Sequence, residues 1–537
     1  MKKTLAALTI FLLSHTCAYA APATPEEAKR LTELFQSYMG EAADAVKVVP
    51  LGDAYTVTLD VDGLVKKAQE TASADGSKMQ IKISPFAFTL TPKGDGKWLL
   101  AQDMPLDWSL TEPGKTAMTV KADSMKTTGV FDEKLMVFST YQSDIVNFAG
   151  TIQDQSADAK NQPKLNYKIA NLHAQGDAKA TGVGVFDGAY DVSINDVSAS
   201  MEAMPQPDGG TPISGAVTLA KLGYNISMTG VKGQAFLNMF KWALALPPEQ
   251  QGKDAKLTDA QQSELKTLVL AALPFFQKIN VTYSLDKLAV TSPFGNAGLE
   301  KAAVTVELSG AVKDGFFREA ILLSGLTTPQ GIFPPWSDPL MPDKFGLDFK
   351  ISNLDFEGVT KLAMDEPAIL DNTAEGDVKA ANDAKLLKAI IPSGAATLTI
   401  KDGKLAGKTY DLDYEGTVSG GPEVPPTGKG TIRAKDLIPL ITALQALPPE
   451  LGMAQASPAI IAFNSMAKKQ SDGTLLWELD GEAVGKFLIN GVDFMSLMAL
   501  GGVSVPEPDE AQNPDATSDG AVTDGTDDEA KDPAKVE

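Results

Sequence analysis

The sequence predicts a β-rich α+β protein: long antiparallel sheets in two related modules, each with an amphipathic helical pair packed on or in the concave face. Three observations carry this. Short runs that alternate apolar and polar residues recur through most of the chain. Two stretches switch to helical spacing, and each is broken by Leu-Pro-Pro-Glu. Finally, 537 residues that are 43% hydrophobic exceed the roughly 250–300 residues one core can organise.

The first element is a leader. Lys2 and Lys3 form a basic start, Leu5 to Leu13 is an apolar run too short to span a bilayer, and Ala18-Tyr19-Ala20 supplies small residues before a cut. Residues 1–20 are therefore expected to be a cleaved signal peptide, with the mature chain starting near Ala21 in the periplasm. Ser14-His15-Thr16 makes a poor lipobox before Cys17, so lipid attachment is not expected. Cleavage removes Cys17 and His15 and leaves His173 as the one imidazole. No thiol remains for a disulfide, for thiol catalysis or for a Cys-ligated metal. No later stretch is apolar for long enough to be a transmembrane segment after cleavage.

Thr24-Pro25-Glu26-Glu27 reads as a helix start, with an N-cap, a first-turn proline and acids at the positive end. Leu31, Leu34, Phe35 and Met39 continue it at helical spacing, and Gly40 ends it. Strands follow: Tyr55 to Val61, Ile81-Lys82-Ile83 and Phe86 to Leu90, with Asp95-Gly96 as a hairpin signal before Lys97-Trp98-Leu99-Leu100. Similar strands recur to about Ser227. Each has one apolar and one polar face, which suits an antiparallel sheet covered on one side.

Helical spacing then appears in Phe236, Leu237, Phe240 and Leu244, and again from Leu265, Leu268, Val269 and Ala272 to Phe276 and Ile279. Pro247-Pro248 separates the two stripes. Strands resume at Val281–Leu285 and Val304–Leu308. The plan recurs later: Leu437, Ile438, Ile441 and Leu444 form a stripe, Pro448-Pro449-Glu450 breaks it, and Ala459, Ile460, Ala462 and Phe463 begin another helix before Leu475–Leu479. The two proline pairs lie 201 residues apart within near-identical heptapeptides, Ala243–Glu249 and Leu444–Glu450. An internal repeat is expected. Residues 21–320 form a first module with a helical pair at 232–280, and residues 321–504 a second with a pair at 434–468. Residues 505–537 carry eleven acids, two lysines and no aromatic residue, and are expected to form a disordered acidic tail.

The charge excludes some partners. With 47 Lys+Arg against 69 Asp+Glu, the net charge of −22 rules out nucleic acid and disfavours anionic lipid headgroups. The search for catalytic motifs selects no residue. There is no nucleophile elbow, His-Glu-x-x-His or dinucleotide fingerprint. Gly428-Lys429-Gly430-Thr431 resembles part of a phosphate loop, but Glu423 replaces the first glycine, and Pro425 and Pro426 remove donors. Asp411-Leu412-Asp413-Tyr414-Glu415-Gly416 begins like a calcium loop, yet Pro422 falls where the closing Glu belongs. It reads instead as the polar face of a strand. His173 lies in a strand with no nucleophile in view. Trp98, Trp108, Trp242, Trp336 and Trp477 are scattered singly, as packing residues are. No catalytic or metal residue, ligand-binding residue or cofactor is assigned.

The mature start Thr24-Pro25-Glu26-Glu27, the Leu-Pro-Pro-Glu helices and Phe487-Leu488-Ile489-Asn490-Gly491-Val492, read as a closing strand, resemble an uncharacterised exported bacterial family known as domain of unknown function 2125. The resemblance covers nearly the whole chain between leader and tail. That family looks distantly like the AsmA-type envelope proteins, whose curled antiparallel sheets form apolar grooves implicated in lipid handling. The resemblance implies an exported β-rich protein without assigned enzymatic activity, and supplies no functional residues. This chain lacks the retained membrane anchor of the AsmA-type pattern.

Two classes of function stay open. One is a soluble envelope protein binding a lipid-like or other apolar ligand in a sheet groove. The other is a non-enzymatic structural or interaction protein with envelope proteins as partners. An enzyme of unrecognised type stands third.

Overall fold

A computed structural model describes residues 22–39, 44–61, 63, 65, 80–112, 116–135, 137–154, 162–204, 213–247, 250, 257–370, 375–422, 424–435, 437–448, 457–481 and 486–494. The expected signal peptide 1–20, Gly40, most of each Pro-Pro-Glu break and the tail 505–537 lie outside the described residues.

Helix α1 (Pro25–Met39) begins as predicted: the Thr24 hydroxyl accepts from the Glu27 amide at 3.2 Å, with Glu26 and Glu27 in the first turn. The strands then follow as β1 (Val46–Leu51), β2 (Ala54–Leu59), β3 (Gln80–Ile83), β4 (Phe86–Gly94), β5 (Lys97–Glu112), β6 (Thr116–Asp132), β7 (Val137–Asp154), β8 (Lys164–Gly182), β9 (Val185–Met204) and β10 (Ile213–Lys232). After helices α2 (Gly233–Leu244) and α3 (Asp259–Ala272) come β11 (Lys278–Ser292), β12 (Gly295–Ser309), β13 (Gly315–Ser324) and β14 (Pro342–Leu354). Helices α4 (Phe356–Asp365) and α5 (Gly376–Ile390) precede β15 (Ala396–Gly407), β16 (Asp411–Gly421) and β17 (Val424–Ala434). Helices α6 (Ile438–Gln445) and α7 (Ser457–Ser465) precede β18 (Lys468–Lys469), β19 (Leu475–Asp480), β20 (Leu488–Ile489) and β21 (Val492–Asp493).

These 21 strands form one sheet, antiparallel throughout. From β4 to β17 every strand pairs with the next one in sequence. The chain is β-rich α+β, as predicted, but its two halves share a sheet. The expected module boundary between residues 320 and 321 falls inside β13, which is bonded on both sides. The prolines from Pro329 to Pro339 lie in the β13–β14 connection, with a 3-10 turn at Pro335–Leu340, and Pro342 is the first residue of β14. Proline cannot donate to a ladder, so it gathers between strands without parting the sheet.

The helices differ from expectation in three ways. A further pair, α4 and α5, was not predicted from the sequence. Its start is capped by Asp355, whose carboxylate accepts from the Gly358 amide at 2.6 Å. The second stripe of the first pair ends at Ala272, before Pro274; Ile279 belongs to β11. The predicted range 434–468 also takes in the last residue of β17 and the first of β18.

The helical pairs join strand ends. Seven strands, β4–β10, lead into α2–α3, and seven, β11–β17, lead into α6–α7. Because neighbouring strands alternate in direction, an odd number places these two pairs at opposite ends of the strands. The α4–α5 pair shares the α2–α3 end, where Lys266 of α3 meets Asp365 of α4 at 2.5 Å.

Buried packing concentrates near the two edges of the sheet. Ala28 and Leu31 of α1 pack on Val46, Val48, Tyr55, Val57, Leu90 and Trp98. At the far edge Leu437, with Leu440, Ile441 and Phe463 beside it, covers Tyr410, Ala434, Trp477 and Ile489. A smaller cluster joins Leu135, Ala178, Phe186 and Val231 beneath α2. The predicted closing strand Phe487–Val492 is instead the hairpin β20–β21. Asn490 and Gly491 turn it, both with positive φ (53° and 86°), the twist a two-residue hairpin needs.

Candidate apolar face

Residues opposite one another in an antiparallel ladder share a face, so the registers trace one surface across the sheet. Starting from Trp98, Leu100 and Met104 on β5, the partners on β6 are Phe131, Gly129 and Met125. One rung continues as Ile145, Leu172, Ile194, Leu222, Leu285 and Ala302 on successive strands. It is followed by Leu323 and Phe345, and then by Leu405, Leu412 and Ala434. Contacts between rings confirm the side: Phe148 with Tyr167 at 5.9 Å, Tyr224 with Tyr283 at 5.0 Å, and Phe317 with Phe349 at 6.0 Å. The opposite face carries paired charges, among them Arg318 with Asp348, Lys404 with Asp411, and Arg433 with Glu415. The predicted division into apolar and polar faces holds from β5 to β19.

A crease crosses this face. At Asn147, Ala170, Asp196, Ala220 and Lys287 the ladder pairing skips a residue on each of β7 to β11. Asn147, Asp196 and Lys287 adopt φ of 53°, 52° and 53°. The interval between residues on the apolar face therefore steps from two to three, as in Ile145/Phe148, Ile194/Val197, Leu219/Leu222 and Leu285/Leu288. On β5 no residue is added. Its Met104 and Leu106 keep one face, and a register shift pairs them with Met125 and Ala122, so both sides of the crease lie on the apolar face. Irregularities of this kind bend a strand and increase its twist.

Away from the small cluster under α2, the middle of the face is not roofed by a core cluster among the described residues. Leu222 is 36% exposed, Tyr283 52% and Val418 45%, against 0% for Trp477. Toward the far edge the face deepens into a cavity of about 420 Å³, lined in part by Leu398, Ile400, Val418, Ile432, Leu479 and Phe487. Gly428 and Gly430 line it, held close against the neighbouring strand β16. An added Cβ on Gly428 would lie 2.5 Å from the Thr417 carbonyl oxygen, and one on Gly430 2.9 Å from that of Glu415, so both positions must stay bare. Tyr414 borders the cavity, its hydroxyl donating to the Gly346 carbonyl at 3.0 Å; burial pushes that hydroxyl's pKa up.

The sequence motifs fall into place around this cavity. Gly428-Lys429-Gly430-Thr431 is a stretch of β17. Pro425 and Pro426 lie where β17 has β16 on one side, before β19 joins at Lys429; this is the edge position proline tolerates. Asp411, Asp413 and Glu415 are the polar side of β16, bound by Lys404 and Arg433. Among the described residues no group of His, Cys, Asp and Glu is arranged to hold a metal ion. Trp98 and Trp477 are buried core residues.

His173 lies on the polar face. Its Nδ1 is 2.7 Å from Asp144 Oδ1, and this bond raises the imidazole pKa above its ordinary 6.5 while lowering that of the carboxyl. Ser193 stands opposite His173 on β9, so Asp144, His173 and Ser193 form one cross-strand row. The row lacks the working parts of a triad. Ser193 Oγ accepts from Asn195 Nδ2 at 3.3 Å, and the ladders on both sides occupy the backbone N–H groups that an oxyanion hole would need. It is a polar ladder rung.

No helix among the described residues is long and apolar enough to cross a membrane, which does not bear on strands. Comparison of the chain with family models, curated proteins and solved structures finds no match.

Proposed function

We propose that this is an exported envelope protein that binds a lipid-like, apolar ligand along the apolar face of its sheet. One observation carries the reading: the face runs through fourteen successive strands, β4 to β17, with Glu319 as a charge on it, while away from the small cluster under α2 its middle lacks a covering core among the described residues. A contiguous apolar face with side chains such as Leu222, Tyr283 and Leu323 left partly exposed is the kind of surface that takes a ligand or a partner. The cavity beside Val418 and Gly430 has the size and apolar lining of a small-ligand site. The leader at 1–20 supports a periplasmic location, and the resemblance to AsmA-type sheets points the same way. Two runs of seven strands, each ending in a Leu-Pro-Pro-Glu helical pair, support an origin in internal duplication. A non-enzymatic structural role is the alternative, in which a partner protein covers the face.

Titration with a fluorescent fatty acid separates the two. Binding is expected to be saturable, and at a hundredfold excess over the dissociation constant to stabilise the fold by about 2.7 kcal/mol. Val418→Lys would set an ammonium against the hydrocarbon and is expected to weaken binding about tenfold or more. No saturable uptake by the wild-type chain would leave the structural reading in place.

A further inference from the structure

The apolar face is interrupted in its middle stretch by an acid. Glu319 lies on β13 between Phe317 and Ile321 of the same face, opposite Val306 on β12 and Phe349 on β14. Its neighbour Arg318 fixes the side. That guanidinium donates to the two Asp348 carboxylate oxygens at 2.8 and 2.7 Å and to Glu307 at 3.4 Å, all on the polar face. The 6.0 Å contact between the Phe317 and Phe349 rings lies on the side of Glu319. Glu319 is half-buried, and among the described residues it has no hydrogen-bond or ion-pair partner. Among the described residues, the charges on the ladder positions beside it lie on the far side of the sheet: Arg318, Glu307, Asp348 and Lys350, the last with its ammonium over the Phe316 ring at 4.1 Å.

A lone carboxylate among aliphatic and aromatic side chains keeps its water only through the open side of the face. Hydrocarbon laid over it would remove that water and return nothing, which is strongly unfavourable. A cation laid there would replace the water with a charge-assisted hydrogen bond in a low-dielectric setting. The protein's net charge of −22 works in the same direction, repelling anionic heads and attracting cationic ones. We propose that Glu319 anchors the head group on the apolar face, and that the ligand is an amphiphile whose head carries an ammonium group, its tail lying along the apolar rungs beside β13. This rests on the apolar-ligand reading above and adds the ligand class and its register.

Three fluorescent probes test it on the full chain: a neutral apolar dye and two dodecyl probes, one ending in an ammonium and one in a carboxylate. The wild type is expected to bind all three and to prefer the ammonium probe over the carboxylate about tenfold or more. Glu319→Gln, nearly isosteric, should abolish the preference while leaving the neutral dye bound, and Glu319→Lys should reverse it. Equal affinity of the wild type for both charged probes, or an unchanged preference in Glu319→Gln, would overturn the anchor alone. So would a variant whose only change is self-association, because Glu319 would then be a charge guarding the face against its own kind. Failure of the wild type to bind the neutral dye would overturn the apolar-ligand reading, and the anchor with it.

Discussion

Trp477→Ala is expected to be among the most damaging single truncations in the chain, costing about 3–5 kcal/mol. The indole is 0% exposed and stacks on Phe463 at 4.8 Å between centroids and 10° between planes. Its Nε1 donates to the Phe463 carbonyl at 2.7 Å, so the substitution also removes that hydrogen bond and leaves the carbonyl with the Met466 amide at 3.2 Å. The ring ties α7 to β19, and with Ala434 and Ile489 it forms the core that closes the far edge of the sheet. Chemical denaturation of the full chain, followed by tryptophan fluorescence and circular dichroism, reads this directly. A loss below about 1 kcal/mol would mean that the far edge is held by something other than this cluster.

Leu31→Ala is expected to cost about 2–5 kcal/mol at the opposite edge. Leu31 is 1% exposed and presses α1 onto Val46, Val57 and Trp98. The Trp98 indole donates to Glu133 at 2.6 Å, and Arg30 of α1 binds the same carboxylate at 2.7 Å, so helix, strand and turn share one polar clamp beside the apolar contact. By contrast Leu222→Ala, in the middle of the apolar face, is expected to cost below about 1 kcal/mol, because truncating a half-exposed side chain opens no cavity. The two edge substitutions share no partners, so their effects should add within about 0.5 kcal/mol. A core-sized penalty at Leu222 would show that the face is filled and not open.

How much of this could be read in the sequence depended on the range of the interactions. The start of α1 was legible because Thr24, Pro25 and the two acids act within one turn. The strands were legible because alternation is local, and the Asp95-Gly96 turn for the same reason. The α4–α5 pair was not, since α5 mixes Lys, Asp and Ala around its whole circumference and buries no residue. The closing hairpin hid behind an apolar run in which Asn490-Gly491 was the overlooked turn signal. The crease left a trace as well, the three-residue step between Ile145 and Phe148 or between Leu285 and Leu288. In one strand that step looks like a lapse in alternation, and only the pairing of neighbouring strands aligns the steps into a line. The unbroken sheet was illegible for that reason too: the proline cluster is a local signal of interruption, and β13–β14 pairing is a non-local fact that overrides it. At the site, Gly428 and Gly430 matched only part of a phosphate loop, and only the pairing of β17 with β16 shows that they line the cavity with no room for a side chain. Glu319 could not be singled out among 69 acids without knowing which face it takes.

An apolar ligand is expected to lie on the apolar face between the two edge cores. A photoreactive fatty acid, crosslinked to the full chain and located by peptide mass spectrometry, tests this most directly. Adducts are expected on residues of one face only, among them Leu222, Tyr283, Leu398 and Val418, and should disappear when unlabelled ligand is added in excess. Adducts confined to the polar face or to the outer sides of the helices, or labelling that excess ligand does not displace, would contradict it.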